Sequence, residues 1–142
     1  LMRQLSVQMS LILKMTDLQA RISKRLDSGM GSIHGISFTE YMVMHRINEA
    51  PGQVMRRIDL AESIGLSASG ITRMLRPMQK IGLVEKEENP RDARVSLVKL
   101  SKAGNKILSD ASLSFEQSAE SITQALSGKQ IQELSKLIDS LS

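Results

Sequence analysis

The chain has 142 residues, the length of one domain, and contains no cysteine, two histidines and three aromatic residues. These counts exclude disulfides and cysteine nucleophiles, and they argue against histidine-based metal sites and platforms for single-stranded bases. No apolar run approaches the roughly 20 residues of a membrane span, and residues 1–10 lack a secretory signal, so we expect a cytoplasmic protein without a membrane partner or a cofactor. The net charge of +4 is concentrated in residues 56–106, where eleven Lys/Arg stand against six Asp/Glu, as expected for a local polyanion-binding surface.

The first part of the chain is predicted to be one long helix. Apolar residues recur at helical spacing from position 5 to position 26, which predicts a helix over residues 2–27. Its apolar stripe is wider than one neighbour requires, which indicates a second surface to bury. Gly29, Gly31 and Gly35 follow. Because their spacing does not fit a phosphate-binding loop and no strand precedes them, we expect a flexible linker over residues 28–36.

Three further helices are predicted before residue 81. Ser37 and Glu40 have the spacing of a capping box, which opens a helix that runs to about position 48. A short helix follows over residues 58–64, and another over residues 68–80. Pro77 is expected to kink that last helix or to distort its final turn, because proline cannot donate a backbone hydrogen bond.

The two helices on either side of Gly65 have the spacing of a helix-turn-helix. Ala61 permits a close helix crossing, Gly65 takes the left-handed turn conformation, and Ile71 fills the seam between the helices. Ser67 is a good N-cap for the second helix. At 1.5 Å per residue this helix is about 20 Å long and narrow enough for the major groove of DNA.

A hairpin and two more helices complete the predicted order. Short strands over residues 83–88 and 94–100 flank a polar loop with a basic tip. A helix then runs from Ser101 to about position 126, and a last amphipathic helix follows the break at Ser127 and Gly128. The order α-α-α-α-β-β-α-α predicts a mainly α fold with a small β wing.

The outward face of the helix over residues 68–80 supplies the first candidate DNA contacts. With Ile71, Leu75 and Met78 turned to the core, this face presents serine, threonine and arginine side chains. Serine and threonine can bind phosphates or bases, and arginine can bind a guanine edge through two hydrogen bonds. The candidates from this face and from the hairpin loop are Ser67, Ser69, Thr72, Arg73, Arg76, Arg91 and Arg94.

The hairpin loop resembles a family signature. Its sequence, Asn89-Pro-Arg-Asp-Ala-Arg94, is similar to the Asp-x-Arg-Asp-x-Arg wing signature of the MarR family of transcriptional regulators. The resemblance extends in register from position 36 to about position 108 and includes Phe38-Thr-Glu-Tyr41, Asp59-Leu-Ala61, Gly65-Leu-Ser67, Ile71-Thr-Arg-Met-Leu75, Gly82-Leu-Val84 and Val98-Lys-Leu-Ser-Lys-Ala-Gly104.

This resemblance implies a single MarR-like domain over residues 1–142. Residues 36–100 would form the winged helix-turn-helix DNA-binding region, and residues 2–27 and 101–142 would form flanking dimerisation helices. The implied function is a homodimer that binds a palindromic operator in double-stranded DNA, usually as a repressor that a small-molecule effector releases.

Two residues depart from the family pattern. The first acidic position of the wing signature is Asn89, and a position that is acidic in some members is Arg76. We therefore expect Arg91 and Arg94 to be free of internal ion pairs and available to phosphates or to a narrow minor groove. Asp92 is expected to orient an arginine rather than to contact DNA, because phosphates would repel it.

The apolar stripes of the flanking helices predict the homodimer independently, because one chain of this length offers them too little partner surface. The alternative is a monomer with a self-contained helical subdomain. Without cysteine the chain cannot sense peroxide through a thiol. The effector that the resemblance implies would then be a small apolar or aromatic molecule, bound non-covalently between the long helices and the winged domain, where effectors of this family often bind.

Two other functions compete with DNA binding. A winged helix used as a protein-interaction module without an effector would present an apolar outer face, whereas this one is polar. An enzyme is disfavoured because neither His34 nor His45 lies near a nucleophile motif or at a metal-ligand spacing.

Overall fold

The computed structural model describes residues 3–142, which form six α-helices and a three-stranded antiparallel sheet. The predicted mainly α fold with a small β wing is confirmed. Among the described residues, no helix combines the length and the apolar character needed to cross a membrane. In chain order the elements are α1 (Val7–His34), α2 (Phe38–Glu49), β1 (Val54–Arg56), α3 (Arg57–Ile64), α4 (Ala68–Lys80), β2 (Val84–Glu88), β3 (Ser96–Leu100), α5 (Lys102–Ile122) and α6 (Gly128–Asp139).

Helix α1 begins and ends later than predicted. Ser6 caps its N-terminus, where the Oγ accepts a hydrogen bond from the amide of Met9 at 3.0 Å. Its C-terminus is at His34, and Gly35 follows in the left-handed conformation with φ of 69°. Met2, where the predicted helix begins, lies outside the described residues.

The predicted flexible linker over residues 28–36 is wrong. The helix continues through Gly29 and Gly31, although glycine is a poor helix former, because packing outweighs propensity here. Leu26 and Met30 are buried on this stretch. At Gly29, a Cβ would lie 3.8 Å from the Oγ of Ser118, so the small residue lets α1 approach α5 closely.

The helix-turn-helix is present as predicted. Ser37 and Glu40 form the capping box that opens α2, with the Ser37 Oγ accepting from the Glu40 amide at 3.0 Å and the Ser37 amide donating to Glu40 at 2.8 Å. Between α3 and α4, Gly65 has a φ of 78°. Ala61 and Ile71 are buried on either side of this turn. Helix α4 has the predicted bounds and is continuous across Pro77.

The sheet contains one strand that was not predicted. Strand β1 is only three residues long, too short for an alternating pattern to be visible in the sequence. It pairs with β3, so that Met55 lies opposite Val98, and β2 pairs with the other edge of β3. The sheet order is therefore β1-β3-β2. Strand β3 starts at Ser96 rather than at position 94, because the preceding residues form a turn.

The core lies between α2, α3, α4, the sheet and the first half of α5. Tyr41 and Ile47 of α2, Leu60 of α3 and Val98 of β3 are among its buried residues. Helix α6, by contrast, contributes no buried residue to this core.

Helix α5 is fastened to the sheet at its first turn. The Ser101 Oγ caps the helix by accepting from the Gly104 amide at 3.0 Å, and the Ser101 amide donates to the carbonyl of Leu83 at 3.1 Å. At Gly104, a Cβ would lie only 2.1 Å from that same carbonyl oxygen. Backbone atoms cannot yield as a side chain can, so the position accepts only glycine.

We expect Gly104→Ala to destabilise the protein by about 1–3 kcal/mol or more, because the added methyl group forces α5 away from Leu83. Gly31→Ala is the matched control, since nothing lies within 4 Å of a Cβ added there and alanine favours a helix interior by roughly 0.5–1 kcal/mol. Urea denaturation of both variants at one protein concentration measures the difference. Wild-type stability of Gly104→Ala would contradict the assigned contact.

Candidate nucleic-acid interface

Helix α4 separates an apolar face from a polar one. Ile71, Leu75 and Met78 are buried in the core. Ser69, Arg73 and Arg76 are exposed, and at 100° per residue they lie on the opposite side of the helix. No acidic residue occurs in α4, so its solvent face is uniformly neutral or cationic.

The hydroxyl groups predicted at this interface are engaged within α4 itself. The Ser67 Oγ accepts from the Gly70 amide at 3.0 Å, as an N-cap does, and lies 3.2 Å from the Ser69 Oγ. The Thr72 Oγ1 donates to the carbonyl of Ala68 at 3.0 Å. These hydroxyls keep lone pairs for a ligand, and the bonds hold them in fixed orientations.

The wing loop is built from two successive turns of the same kind. The amide of Asp92 donates to the carbonyl of Asn89 at 3.2 Å, and that of Val95 donates to the carbonyl of Asp92 at 3.1 Å. Each turn starts with a side-chain oxygen that accepts from the amide two residues later, from Arg91 at 2.9 Å and from Arg94 at 3.0 Å. Asn89 thus makes the hydrogen bond expected of an Asx turn without adding a negative charge.

The expectation that both wing arginines are unpaired is wrong for Arg94. Its Nε donates to one carboxylate oxygen of Asp92 at 3.1 Å, and its Nη2 donates to the other oxygen at 3.3 Å. The Asx turn places the two side chains side by side, which the sequence spacing does not reveal. The Arg94 guanidinium, followed by the Arg94 amide, lowers the pKa of Asp92 below its usual 3.8, so the carboxylate stays ionised to a lower pH than a free aspartate does.

The pairing does not hide Arg94, because its side chain remains 91% exposed. Asp92 orients an arginine, as expected. Among the described residues, Arg91 lies within ion-pair distance of no carboxylate, and the same holds for Arg73 and Arg76. Three of the four predicted arginines therefore carry an uncompensated charge.

Two grooves separate α4 from the hairpin. The first, which we call the α4–β2 groove, has a volume of about 560 Å³ and is lined by Arg57, Thr72, Arg76, Gln79, Glu85 and Lys86, among others. The second, the α4–loop groove, has a volume of about 340 Å³ and is lined by residues that include Arg56, Arg57, Ala68, Thr72, Arg94 and Ser96.

Two residues line both grooves: Thr72, which was a predicted site residue, and Arg57, which sequence reasoning missed. Arg57 lines both of them, although it precedes the helix-turn-helix motif by a few residues and was counted only in the basic segment. The unpredicted strand β1 brings it there, because β1 pairs with β3 and ends one residue before Arg57. No motif in the sequence signals that pairing.

The long helices carry an apolar surface away from α4. Ile131, Leu134, Leu137 and Ile138 of α6 are between 40% and 66% exposed. Leu11 and Leu18 of α1 are also exposed. Together, α1 and α6 line an apolar groove of about 620 Å³, whose residues include Leu11, Met15, Leu18, Ile22, Leu134 and Ile138.

An aromatic cluster joins α2 to α5. Phe38, Tyr41 and Phe115 lie with ring centroids between 5.2 and 5.7 Å apart, and His45 stacks on Tyr41 at 6.1 Å. The Tyr41 hydroxyl lies 2.8 Å from the Ser112 Oγ. Beside this cluster, Tyr41 and His45 line an open cavity of about 600 Å³ between α2 and α5.

Comparisons with known proteins agree with this geometry. Residues 36–96 match the family model described as MarR family. The uncharacterized HTH-type transcriptional regulator YhbI of Bacillus subtilis (strain 168) is 26% identical over 107 residues, which cover 75% of this chain and 68% of that protein.

Solved structures share the fold at low identity. AbsC, a MarR family transcriptional regulator from Streptomyces coelicolor, has a TM-score of 0.86 at 19% identity, covering 99% of this chain and 95% of AbsC. Sco3205, a MarR family transcriptional regulator from the same organism solved in complex with DNA, has a TM-score of 0.86 at 18% identity, covering 99% of this chain and 89% of that one.

Proposed function

Because residues 36–96 match the MarR family model, we propose that the chain is a DNA-binding transcriptional regulator of the MarR family that acts as a homodimer on a palindromic operator. We further propose that it represses transcription and that a small molecule releases it from DNA. It would act in the cytoplasm as a binding protein rather than as an enzyme.

The observation that carries the DNA-binding proposal is the set of exposed cations on α4 and on the wing loop, two elements that the α4–loop groove places beside each other at Thr72 and Arg94. The exposed Arg73 and Arg76 of α4 carry charges that no carboxylate compensates, and Arg91 of the adjoining loop carries another. A helix of 13 residues fits the major groove. The wing arginines would then contact phosphates or a narrow minor groove.

Homologous structures support the same mode of binding. Sco3205 was solved in complex with DNA, and a cysteine-to-serine mutant of MarR from E. coli was solved with operator DNA. Both share the fold of this chain, with TM-scores of 0.86 and 0.77. A polar outer face on α4 also argues against the alternative of a winged helix that binds other proteins.

The dimer proposal rests on α6. No residue of this helix is buried within its own chain, yet its leucines and isoleucines form an apolar stripe. The apolar groove between α1 and α6 supplies a matching surface on a second copy. A two-fold dimer would place two α4 helices roughly 34 Å apart, one turn of DNA.

The effector proposal rests on the aromatic cluster. The cavity beside Tyr41 and His45 opens between α2, which belongs to the winged domain, and α5, a long helix. Stacked rings and the hydroxyl pair of Tyr41 and Ser112 suit a small apolar or aromatic compound. Such a ligand releases DNA only if it binds more tightly to a conformation with wrongly spaced α4 helices.

We expect duplex binding to weaken steeply with salt, because several phosphates are neutralised in each protomer. On an operator selected from random duplexes, Arg73→Ala should cost about 1–3 kcal/mol and relax the preference at one base position. Arg91→Ala and Arg94→Ala should weaken binding equally across sequences, because phosphate contacts carry no base information.

Arg21→Ala, which removes an exposed arginine of α1 that lines neither groove, is the matched control and should bind as the wild type does. A flat salt response, or wild-type affinity in all three interface variants, would exclude this face as the DNA interface and favour the protein-interaction module.

We expect the wild type to be a dimer in sedimentation experiments and a chain lacking residues 129–142 to be a monomer at micromolar concentration. The deletion removes five apolar side chains, each worth about 1.5–3 kcal/mol when fully buried. It leaves the core intact, because α6 contributes no buried residue to its own protomer. Lys136→Ala changes an exposed polar position of α6 and should remain a dimer. A dimeric truncated chain would contradict the assigned interface.

We expect compounds from a panel of small aromatic acids to release the operator, and mild hydrogen peroxide not to release it, because the chain has no thiol. His45→Ala should raise the concentration of such a compound needed for half-release and leave operator affinity unchanged. Release by peroxide at doses too low to oxidise methionine, reversed by a thiol reductant, would contradict this proposal.

A further inference from the structure

Arg57 lies between α4 and the hairpin. It lines both the α4–β2 groove and the α4–loop groove, and Thr72 is the α4 residue that faces it in both. The two grooves therefore adjoin at Arg57 and Thr72, and we call the pair of grooves the trough between α4 and the hairpin. A chain of phosphates that passes from the α4 face to the wing would cross this point.

The environment of Arg57 is unusual for an arginine. The side chain is half-buried, and its Nε is buried without any hydrogen-bond partner among the described residues. No carboxylate of the described chain lies within 4.0 Å of it. Its neighbour Arg56 is the opposite case, because its guanidinium binds both oxygens of Asp59 at 2.8 and 3.0 Å.

An unpaired buried guanidinium nitrogen is costly, since arginine stays protonated and its lost water contacts are not replaced. An anion in the trough would reduce that cost. The surroundings favour one, because Arg76 and Lys86 line the same α4–β2 groove. Glu85 is the acidic residue of this groove. The ammonium of Lys99 on β3 lies 4.0 Å from Glu85 and 3.6 Å from Glu87, so it offsets only part of the charge of Glu85.

We propose that Arg57 binds a phosphate of the DNA backbone in the trough between α4 and the wing. This inference rests on the proposed DNA-binding function. The guanidinium fork matches two phosphate oxygens, a fit that the single ammonium of lysine lacks. Arg57 follows β1 directly, and β1 is paired with β3, so the bound phosphate is held at a fixed position relative to the sheet.

The role of Arg57 is therefore positioning. A phosphate held at this point sets how far α4 enters the major groove and where the wing meets the next phosphates. It adds affinity for every duplex and carries no preference for a base. The competing explanation is structural, in which Arg57 packs its aliphatic stem against α4 and touches no ligand.

The test compares Arg57→Gln, Arg57→Lys and Arg46→Gln with the wild type on the selected operator and on an unrelated duplex, over a series of salt concentrations. Arg46 is the matched control, because it is also half-buried with a buried, unpartnered Nε but lines neither groove. Thermal unfolding of each variant reports whether it folds.

Arg57→Gln should weaken binding to both duplexes by the same factor, about tenfold or more, because a charge-assisted contact is lost in each protomer. The slope of log K against log salt should become shallower by about two, one ion for each protomer of the dimer. Arg57→Lys keeps the charge, so it should retain the wild-type slope with weaker binding. Arg46→Gln should retain both the slope and the affinity.

A scan with neutral methylphosphonates tests the same contact from the DNA side. At one phosphate position in each half-site, the methylphosphonate should weaken binding of the wild type but should not weaken binding of Arg57→Gln any further. If Arg57→Gln does not fold, Arg57→Lys replaces it and should show a reduced penalty at that position.

The experiment distinguishes failure of the proposed function from failure of the Arg57 proposal. If the wild type binds no duplex, the proposed function and this inference fall together. If the wild type binds and Arg57→Gln keeps the wild-type slope, the inference alone is overturned. It is also overturned if Arg57→Lys loses as much slope as Arg57→Gln, since the loss would then be structural. A scan in which no position depends on residue 57 overturns it as well.

Discussion

The close contact between Gly104 and the carbonyl of Leu83 is the constraint on which the arrangement of the wing and the long helices depends. Strand β3 ends at Leu100, and α5 begins two residues later. The first turn of α5 lies directly against the start of the hairpin, where the Leu83 carbonyl accepts from the Ser101 amide and leaves no room for a Cβ at residue 104. The hairpin and α5 therefore share one rigid junction, so a tilt of α5 carries the wing with it.

The contacts of α5 farther along its length are of a different kind. Serines of α5 bind polar groups of α1 and α2: Ser112 lies 2.8 Å from the Tyr41 hydroxyl, Ser114 lies 2.8 Å from the His34 Nε2, and Ser121 accepts from Arg25. Gly29 and Ser118 meet in the same seam. Small residues and hydrogen bonds bury less apolar surface between helices than a row of leucines does. The far part of α5 is therefore held by small and polar side chains and by Phe115 of the aromatic cluster, whereas its first turn is held by a direct backbone contact.

The sequence predicted the parts of the fold that depend on neighbouring residues. Caps such as Ser37 and Ser67, and the left-handed turn at Gly65, follow from local chemistry and were found. The sequence did not predict the continuation of α1 through Gly29 and Gly31, because packing against α5, some ninety residues away, overrides the local preference. In the candidate interface the periodicity of α4 identified its exposed arginines. The pairing of Arg94 with Asp92, and the placement of Arg57 by β1, depend on turn and strand geometry that residue spacing does not encode.

The unburied α6 has a consequence for how the regulator would respond to its own abundance. In the proposed dimer, a folded protomer whose stripe is exposed to water would gain stability on pairing, so folding and association would be thermodynamically linked. The proposed palindromic site would need two copies of the chain. Where the dimer dissociates at cellular concentrations, occupancy of that site rises with the square of the protomer concentration. A modest fall in the rate of protein synthesis would then lower occupancy of the site more than proportionally. The proposed association of α1 with α6 would therefore make occupancy depend steeply on protein concentration even without a small molecule.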